Sequence, residues 1–419
     1  MLIFTPLILS RQRKNVLPMT LNYLLKSRYL FNINYRFLIF FTIAISLFSS
    51  VTGQNIRVGL YRDFEIRTVI FKVLEGSYTL TTQDSLKVEM ETSDILFITS
   101  VGDRISLWNT EKHLGVHSKI QITSKNPQYK MMLDPVYPTL PARKYYGDFD
   151  IWTDSTSRMA LVNIVSFQEY LAGVVEAESG VRSMPEYYKA QAIICRTYAL
   201  NHIDRHQAEG FHMCDEVHCQ VYKGFGTEHG PILKAVDDTK GLVIVDNQGM
   251  LITAAFHSNS GGQTANSEDV WSTTVPYLRS KPDIYYDKQR NSNWEKSVPI
   301  DEWVGFLKTM NIQASENTDY RFSQPKRQRF ALIENQPVLL SDIRNAFKLK
   351  STFFSFENNG NKIVFKGKGY GHGVGLSQES AMEMARKGKT YSSIIEYFYT
   401  DVKIIDLYET TYLMSLLPE

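Results

Sequence analysis

A chain of 419 residues, 43% hydrophobic and 21% charged, is too long for one ordinary core and too apolar for disorder. It has neither a low-complexity tract nor a repeat of solenoid period, which excludes collagen-like and repeat architectures. The net charge of +2 hides an asymmetry: residues 1–53 hold six basic residues and no acidic one, leaving 46 − 6 = 40 basic against 44 acidic, or −4. That remainder lacks the basic footprint of a nucleic-acid binder, and no nucleic-acid partner is expected.

The six basic residues, Arg11, Arg13, Lys14, Lys26, Arg28 and Arg36, lead into the apolar run Phe37–Phe48 and then "SSVTGQ". A positive region, an apolar stretch and small residues at Val51 and Gly53 describe a secretory signal cut after Gly53. The run is shorter than the roughly 20 residues of a membrane-spanning helix. A cleaved signal peptide and an uncleaved N-terminal anchor both imply export, to the periplasm or cell envelope. Membrane contact is expected only through such an uncleaved segment.

Residues 54–141 read as a β-rich N-terminal module. "IRVGLYR", "TVIFKV", "YTLTTQD", "DILFITS" and "KIQIT" alternate apolar and polar positions between turns at Glu75-Gly76, Gly102-Asp103 and Lys125-Asn126-Pro127. The period then changes. Phe167, Leu171, Val174 and Glu178 share one helical face, and "EYYKAQAIICRTYALNHI" continues as a second helix behind Pro185, which suits a first turn. "VIVDNQGMLITAAFHS" reads as a hairpin turning at Asn247-Gln248-Gly249, and "SQESAMEMARKG" as a third helix with Ser377 as N-cap and Gly388 as stop. The whole is expected to be α+β, with helices packed on mixed strands over residues 142–410.

Four stretches could carry chemistry. An apolar helical stripe that ends in Glu178 sets a carboxyl against the core side, where desolvation moves its pKa toward general-acid range; Glu176 lies on another face. In "GFHMCDEVHCQVYKGFG", Cys214 and Cys219 sit among His206, His212 and His218, which spacing alone allows to be a disulfide or a four-ligand zinc site, with His206 or His212 as fourth ligand. "AAFHSNSGGQTANSEDVW" is a strand running into a turn that could meet a sugar or merely close a hairpin. "KGKGYGHGVGLSQ" lacks the GK[ST] ending and the dinucleotide glycine spacing, so nucleotide binding is rejected. Cys195, mid-helix, reads as a buried thiol, and His202 and His229 as ordinary helix and loop histidines.

Taken in order, "YLAGVVEAES", "KAQAIICRTYAL", "CDEVHCQVYKG", "FHSNSGGQT", "VPYLRS" and "GYGHGVGLSQESAMEMARKGKTYSSIIEYFY" resemble the successive motifs of the stage II sporulation protein D family, which is related to cell-wall amidase enhancers. The resemblance covers residues 145–408. It implies a lytic transglycosylase that cleaves peptidoglycan glycan strands, preferentially peptide-denuded ones, between N-acetylmuramic acid and N-acetylglucosamine to leave 1,6-anhydro ends. The catalytic glutamate of the family falls on Glu178. The family motif continues Glu-Met-Pro where this chain reads Glu178-Ser179-Gly180, a departure that bears on contacts beside the carboxylate. The resemblance also implies one structural zinc per chain, held by His206, Cys214, His218 and Cys219.

On the same footing, Arg196, Tyr198, Gln220, Ser258, Ser260, Thr264, Tyr277, His372 and Gln378 are expected to line the glycan groove. An ordinary glycosidase would need a second carboxylate, for which Glu268 and Asp269 are the nearest candidates. A non-catalytic enhancer that anchors on glycan and binds a wall amidase is the alternative, with the N-terminal module as docking surface.

Overall fold

In the computed structural model, residues 54–418 are described, except 155, 180, 181, 227 and 228. The segment expected to be signal or anchor lies outside the described residues. No helix among those described is long and apolar enough to cross a membrane.

The chain begins as strands β1 (Asn55–Leu60), β2 (Thr68–Glu75), β3 (Tyr78–Thr82), β4 (Lys87–Met90), β5 (Ile95–Val101), β6 (Arg104–Asn109), β7 (His113–His117) and β8 (Lys119–Ser124). It continues as β9 (Lys130–Tyr137), β10 (Arg143–Tyr146), β11 (Asp148–Thr153) and β12 (Met159–Ser166). Alternation decides their packing: in β2, Val69, Phe71 and Val73 are buried while their neighbours are not, the period of a half-buried strand. The inward residues of two sheets meet, one ordered β13-β1-β12-β11-β8-β3-β4 and the other β10-β9-β2-β5-β6-β7, where β13 is Met213–Cys214. Phe71 and Phe149 touch edge to face across them at 5.3 Å.

The architecture is α+β with a β-rich N-terminal region. The boundary expected at residue 141 falls between β9 and β10, which pair with each other, while β11 and β12 join β8 and β1 in one sheet. A single apolar core runs from Ile56 to Leu413.

Helix α1 (Phe167–Ser179) packs on β1 and β12, and α2 (Pro185–Asn201) and α3 (His229–Asp238) pack on α1 and on each other. Phe167, Leu171 and Val174 are buried as the spacing requires, and Pro185 occupies the first turn of α2. The turn at Asn247-Gln248-Gly249 forms, with Gly249 donating to the Asp246 carbonyl, and a short hairpin follows it: Val245 and Leu251 bridge antiparallel, and Asp246 and Ile252 donate to the Met250 and Ile244 carbonyls. On its other side Leu242–Val245 pairs with Lys403–Asp406 from the C-terminal end. Helix Gln378–Arg386 stops before Gly388, which has φ +79, whereas the Ser377 hydroxyl turns to Ser380 and to the Ser260 amide rather than capping the helix.

A second core lies between two of the motif blocks. Trp303 is fully buried there among Phe347, Phe356 and Phe365, under the pairings of Asn293–Pro299, Phe354–Asn359 and Lys362–Lys368. The segment leaves and returns at one place: Gly369 donates to the Ser292 carbonyl at 3.0 Å.

One close approach sets the site. On Gly173 of α1 a Cβ would stand 2.4 Å from the Gly224 carbonyl oxygen; on Gly224, at φ +74, it would stand 1.9 Å from the Lys144 carbonyl oxygen. Only two glycines let residues 221–226 slide between α1 and β10. Gly224→Ala adds both backbone strain and a clash, so it should lower unfolding free energy by about 3 kcal/mol or more in denaturant titration, where an exposed Gly230→Ala control should not.

Candidate active site and metal centre

Glu178 occupies the last turn of α1, half-buried. Its Oε1 accepts from the Val221 amide at 3.0 Å, and the Gln378 amide nitrogen donates to its backbone oxygen at 3.0 Å. Among the described residues Oε2 has no protein donor. Burial lifts the carboxyl above the ordinary glutamate range, against the Val221 amide and the Lys223 charge, both of which favour the ionised form. The result is a carboxyl pinned at one oxygen and open at the other. Residues 180 and 181, where the chain departs from the family motif, lie outside the described residues.

Neighbouring carboxylates are committed elsewhere. Glu176 accepts from the Gly226 amide at 2.8 Å and faces His229 Nδ1 at 3.6 Å, while Glu169 holds His229 Nε2 at 2.5 Å. Burial alone would lower the imidazole, but hydrogen bonds to Glu169 and Glu176 outweigh it and lift His229 to about 9. Read as an ordinary loop histidine from sequence, His229 is a buried cation at the start of α3; the spacing of Glu169 and Glu176, two helical turns apart, was the available signal. Glu268 is paired with Arg279 at 2.5 and 2.9 Å and held at about 2 chiefly by that hydrogen-bonded pair, so it makes a poor proton shuttle.

The cysteine stretch converges. Donor atoms of His206, Cys214, His218 and Cys219 all lie within 4.8 Å of one another. Cys219 Sγ is 3.3 Å from His206 Nε2 and 3.7 Å from His218 Nδ1, and Cys214 Sγ is 3.7 Å from the same His218 nitrogen. Two sulfurs and two nitrogens around a tetrahedral zinc stand about 3.6 Å apart along a sulfur–nitrogen edge, so these donors fit that ion. His206 Nδ1 meets Glu209 at 2.6 Å, and Glu209 takes Arg62 Nε and Nη2 at 2.9 and 3.1 Å, the carboxylate support typical behind a ligating imidazole. The cysteines are not disulfide-bonded. His212 points away, accepting from the Arg57 amide at 3.1 Å.

The residues expected to line a groove divide. Gln378 meets Glu178. Tyr198 stacks on His202 at 4.2 Å and accepts from Arg205, which also donates to the His218 carbonyl, so it belongs beside the clustered Cys and His residues. Arg196 is not at a groove: it is fully buried and donates to the Val236 and Leu242 carbonyls at 3.1 Å, because an interior guanidinium must find acceptors. Gln220 is likewise interior, between the Tyr170 hydroxyl and the Cys195 carbonyl. Ser260 is buried against Asp283 at 2.6 Å, and Thr264 and Tyr277 fasten loop backbone through Lys281 and Thr253. Ser258 is half-buried and takes the Asn291 amide at 3.1 Å. His372 packs on Trp271 at 5.4 Å and is driven by burial down to about 4, a neutral imidazole. Sequence reading missed Asp283, whose carboxylate joins Ser260 and Ser380 across the fold.

The comparisons with known proteins place the chain in a family. A family model described as stage II sporulation protein, SpoIID, matches residues 155–245, the span from the turn before β12 through the clustered Cys and His residues to Val245. Stage II sporulation protein D of Bacillus subtilis is 31% identical over 265 residues, covering 59% of this chain and 77% of that protein. The chain belongs to the stage II sporulation protein D family. An uncharacterized protein of Brachyspira hyodysenteriae is 30% identical over 275 residues, covering 64% and 74% of the two chains. The amidase enhancer of Bacillus subtilis is 29% identical over 284 residues, 55% of this chain and 39% of that protein. The family model therefore spans Glu178 and all four clustered ligands, while the longer alignments extend beyond it.

The His229 cation gives a pH signature. Its folded pKa lies above the unfolded value of 6.5, so its contribution is complete below pH 6.5 and lost as pH rises through about 9. His229→Gln should destabilise the protein on the order of 3 kcal/mol at pH 6 and flatten that alkaline decline, read as unfolding midpoints from pH 6 to 10.

Proposed function

We propose that this family member is a peptidoglycan lytic transglycosylase with Glu178 as its single acid and base. The observation that carries the reading is the Glu178 carboxyl itself: desolvated, fixed at Oε1 and open at Oε2. Family membership and the similarity to an amidase enhancer support a role at the cell wall.

Glu178, protonated, would donate to the glycosidic oxygen as the bond to the muramic anomeric carbon breaks, giving the leaving sugar its hydroxyl. The C6 hydroxyl of the same muramic residue then bonds to that carbon, and its proton passes to the Glu178 carboxylate. A 1,6-anhydro end forms, no water is consumed and the acid is regenerated. One carboxyl suffices, which agrees with Glu268 being tied to Arg279 and Glu176 turned to His229. A hydrolase would require a second carboxylate free to activate water.

His206, Cys214, His218 and Cys219 would hold one structural zinc. With all four positions taken by protein, the ion supplies cross-linking of residues 206–219 and no open site for water. Export to the periplasm or cell envelope completes the proposal, glycan strands being found there. A non-catalytic role beside an amidase is the second reading, favoured by the named enhancer among the relatives.

Glu178→Gln should abolish anhydro-ended products from peptide-free glycan, read by mass spectrometry with no amidase present, while leaving the melting temperature within a few degrees; wild-type activity in that variant would sink the mechanism. If the wild-type chain also yields no anhydro ends, the enhancer reading takes its place. Elemental analysis should find about one zinc per chain, and Cys219→Ser should lose it together with thermal stability.

A further inference from the structure

Beyond Glu178 and the clustered ligands, a groove opens at the end of β1. Its volume is about 780 Å³, within the range of small-ligand sites, and three pieces of chain build it: residues 59–64, residues 208–211 beside the metal ligands, and the facing parts of β11 and β12. A strained residue shapes it. Tyr61 stands at φ 53, where a bulky side chain is rarely found, and its amide is held at 2.8 Å by Asp215, which Arg143 binds at 2.6 Å. That kink turns Arg62, Asp63 and Phe64 out of the sheet to form a wall.

We propose that this groove is an auxiliary binding site for N-acetylated sugar units of a glycan strand. The inference rests on the reading of glycan as substrate and adds a second point of attachment. Its chemistry is that of a sugar site, an aromatic ring among charged hydrogen-bonding groups. Trp152 lines the groove, with the Lys119 ammonium 5.7 Å from its ring and Gly210 against its edge. Arg158 is fixed at the rim by a hydrogen bond, Nη2 to the Arg62 carbonyl at 2.7 Å, its charge is felt by the Asp154 carboxylate on the same rim, and among the described residues its guanidinium makes no second hydrogen bond. Its other N–H groups are placed to meet an acetamido oxygen or a muramic carboxylate.

A peptide fits the same walls less well. The floor strands have no free edge, since Gly59 pairs with Cys214 on one side and Val162 on the other, and β12 lies between β1 and β11. An extended peptide could not add as a further strand, whereas a sugar needs only a ring face and side-chain donors.

The test is local to the groove. N-acetylglucosamine tetramer is titrated into ¹⁵N-labelled Glu178→Gln chain, following the indole resonance absent from a Trp152→Phe counterpart. That resonance should move, and Arg158→Ala, an exposed change unlike one in the core, should raise the half-saturating concentration on the order of tenfold. A resonance that stays still, an Arg158→Ala titration identical to the parent, or a stem tripeptide that moves it at lower concentration than the sugar would each overturn the proposal. The two readings fail separately. Sugar that engages Trp152 without any anhydro product from the wild-type chain removes the transglycosylase reading and keeps the groove, and the converse result removes the groove alone.

Discussion

Everything at the site depends on how one stretch of backbone, residues 213–226, is wedged between a sheet and a helix. It enters beside β1 as the short strand β13, and Asp215 at once clasps the Tyr61 amide and Arg143. It leaves under α1, where Tyr222 donates to Asn163 at 2.9 Å, Phe225 to the Lys144 carbonyl at 3.0 Å and Gly226 to Glu176 at 2.8 Å. Between those anchorages it delivers three of the four clustered Cys and His donors and the Val221 amide that fixes Glu178. Two glycines make the wedge possible, because any Cβ on Gly173 or Gly224 would overlap carbonyl oxygen.

The carboxylates around this wedge show how environment divides one functional group into several roles. Glu178 is desolvated and sees only one amide and a lysine, so its pKa rises. Glu169 and Glu176 meet a histidine and convert it to a cation, which returns their own charge to a paired state. Glu268 meets a guanidinium and is held ionised far below neutral pH. Of these acids, Glu178 is the one whose carboxyl burial lifts above the ordinary glutamate range while, among the described residues, one of its oxygens has no protein donor.

Buried polar side chains account for much of the remaining motif content. Arg196, Gln220, Ser260, Thr264 and Asp283 satisfy carbonyls, amides and hydroxyls that loops bring inside, and an unmade bond there would cost about 1–3 kcal/mol. Asp283 joins the Ser260 turn to the helix that begins at Gln378, and Gln378 in turn reaches the backbone of Glu178 across 200 residues. Loop order and the placement of the acid thus share one hydrogen-bonded chain.

The sequence by itself determined what repeats locally or sits in a short motif. Period two marked β1, β2, β3, β5 and β8, a 4-3-4 spacing marked the face of α1 and the position of Glu178 on it, and the interleaved Cys and His residues marked the stretch whose donor atoms cluster. Tertiary structure alone decided direction and partnership. A polar residue in a motif looks the same whether it points at a sugar or at a buried carbonyl, so Arg196 and Ser260 were legible as polar and illegible as structural. The Leu242–Val245 strand and its short hairpin with Leu251 and Ile252 were visible, but its second partner lay some 160 residues away at Lys403–Asp406, beyond any hairpin rule. Spacing alone did not separate His206, which the resemblance favours, from His212, because which imidazole reaches the two sulfurs depends on how residues 206–219 fold back.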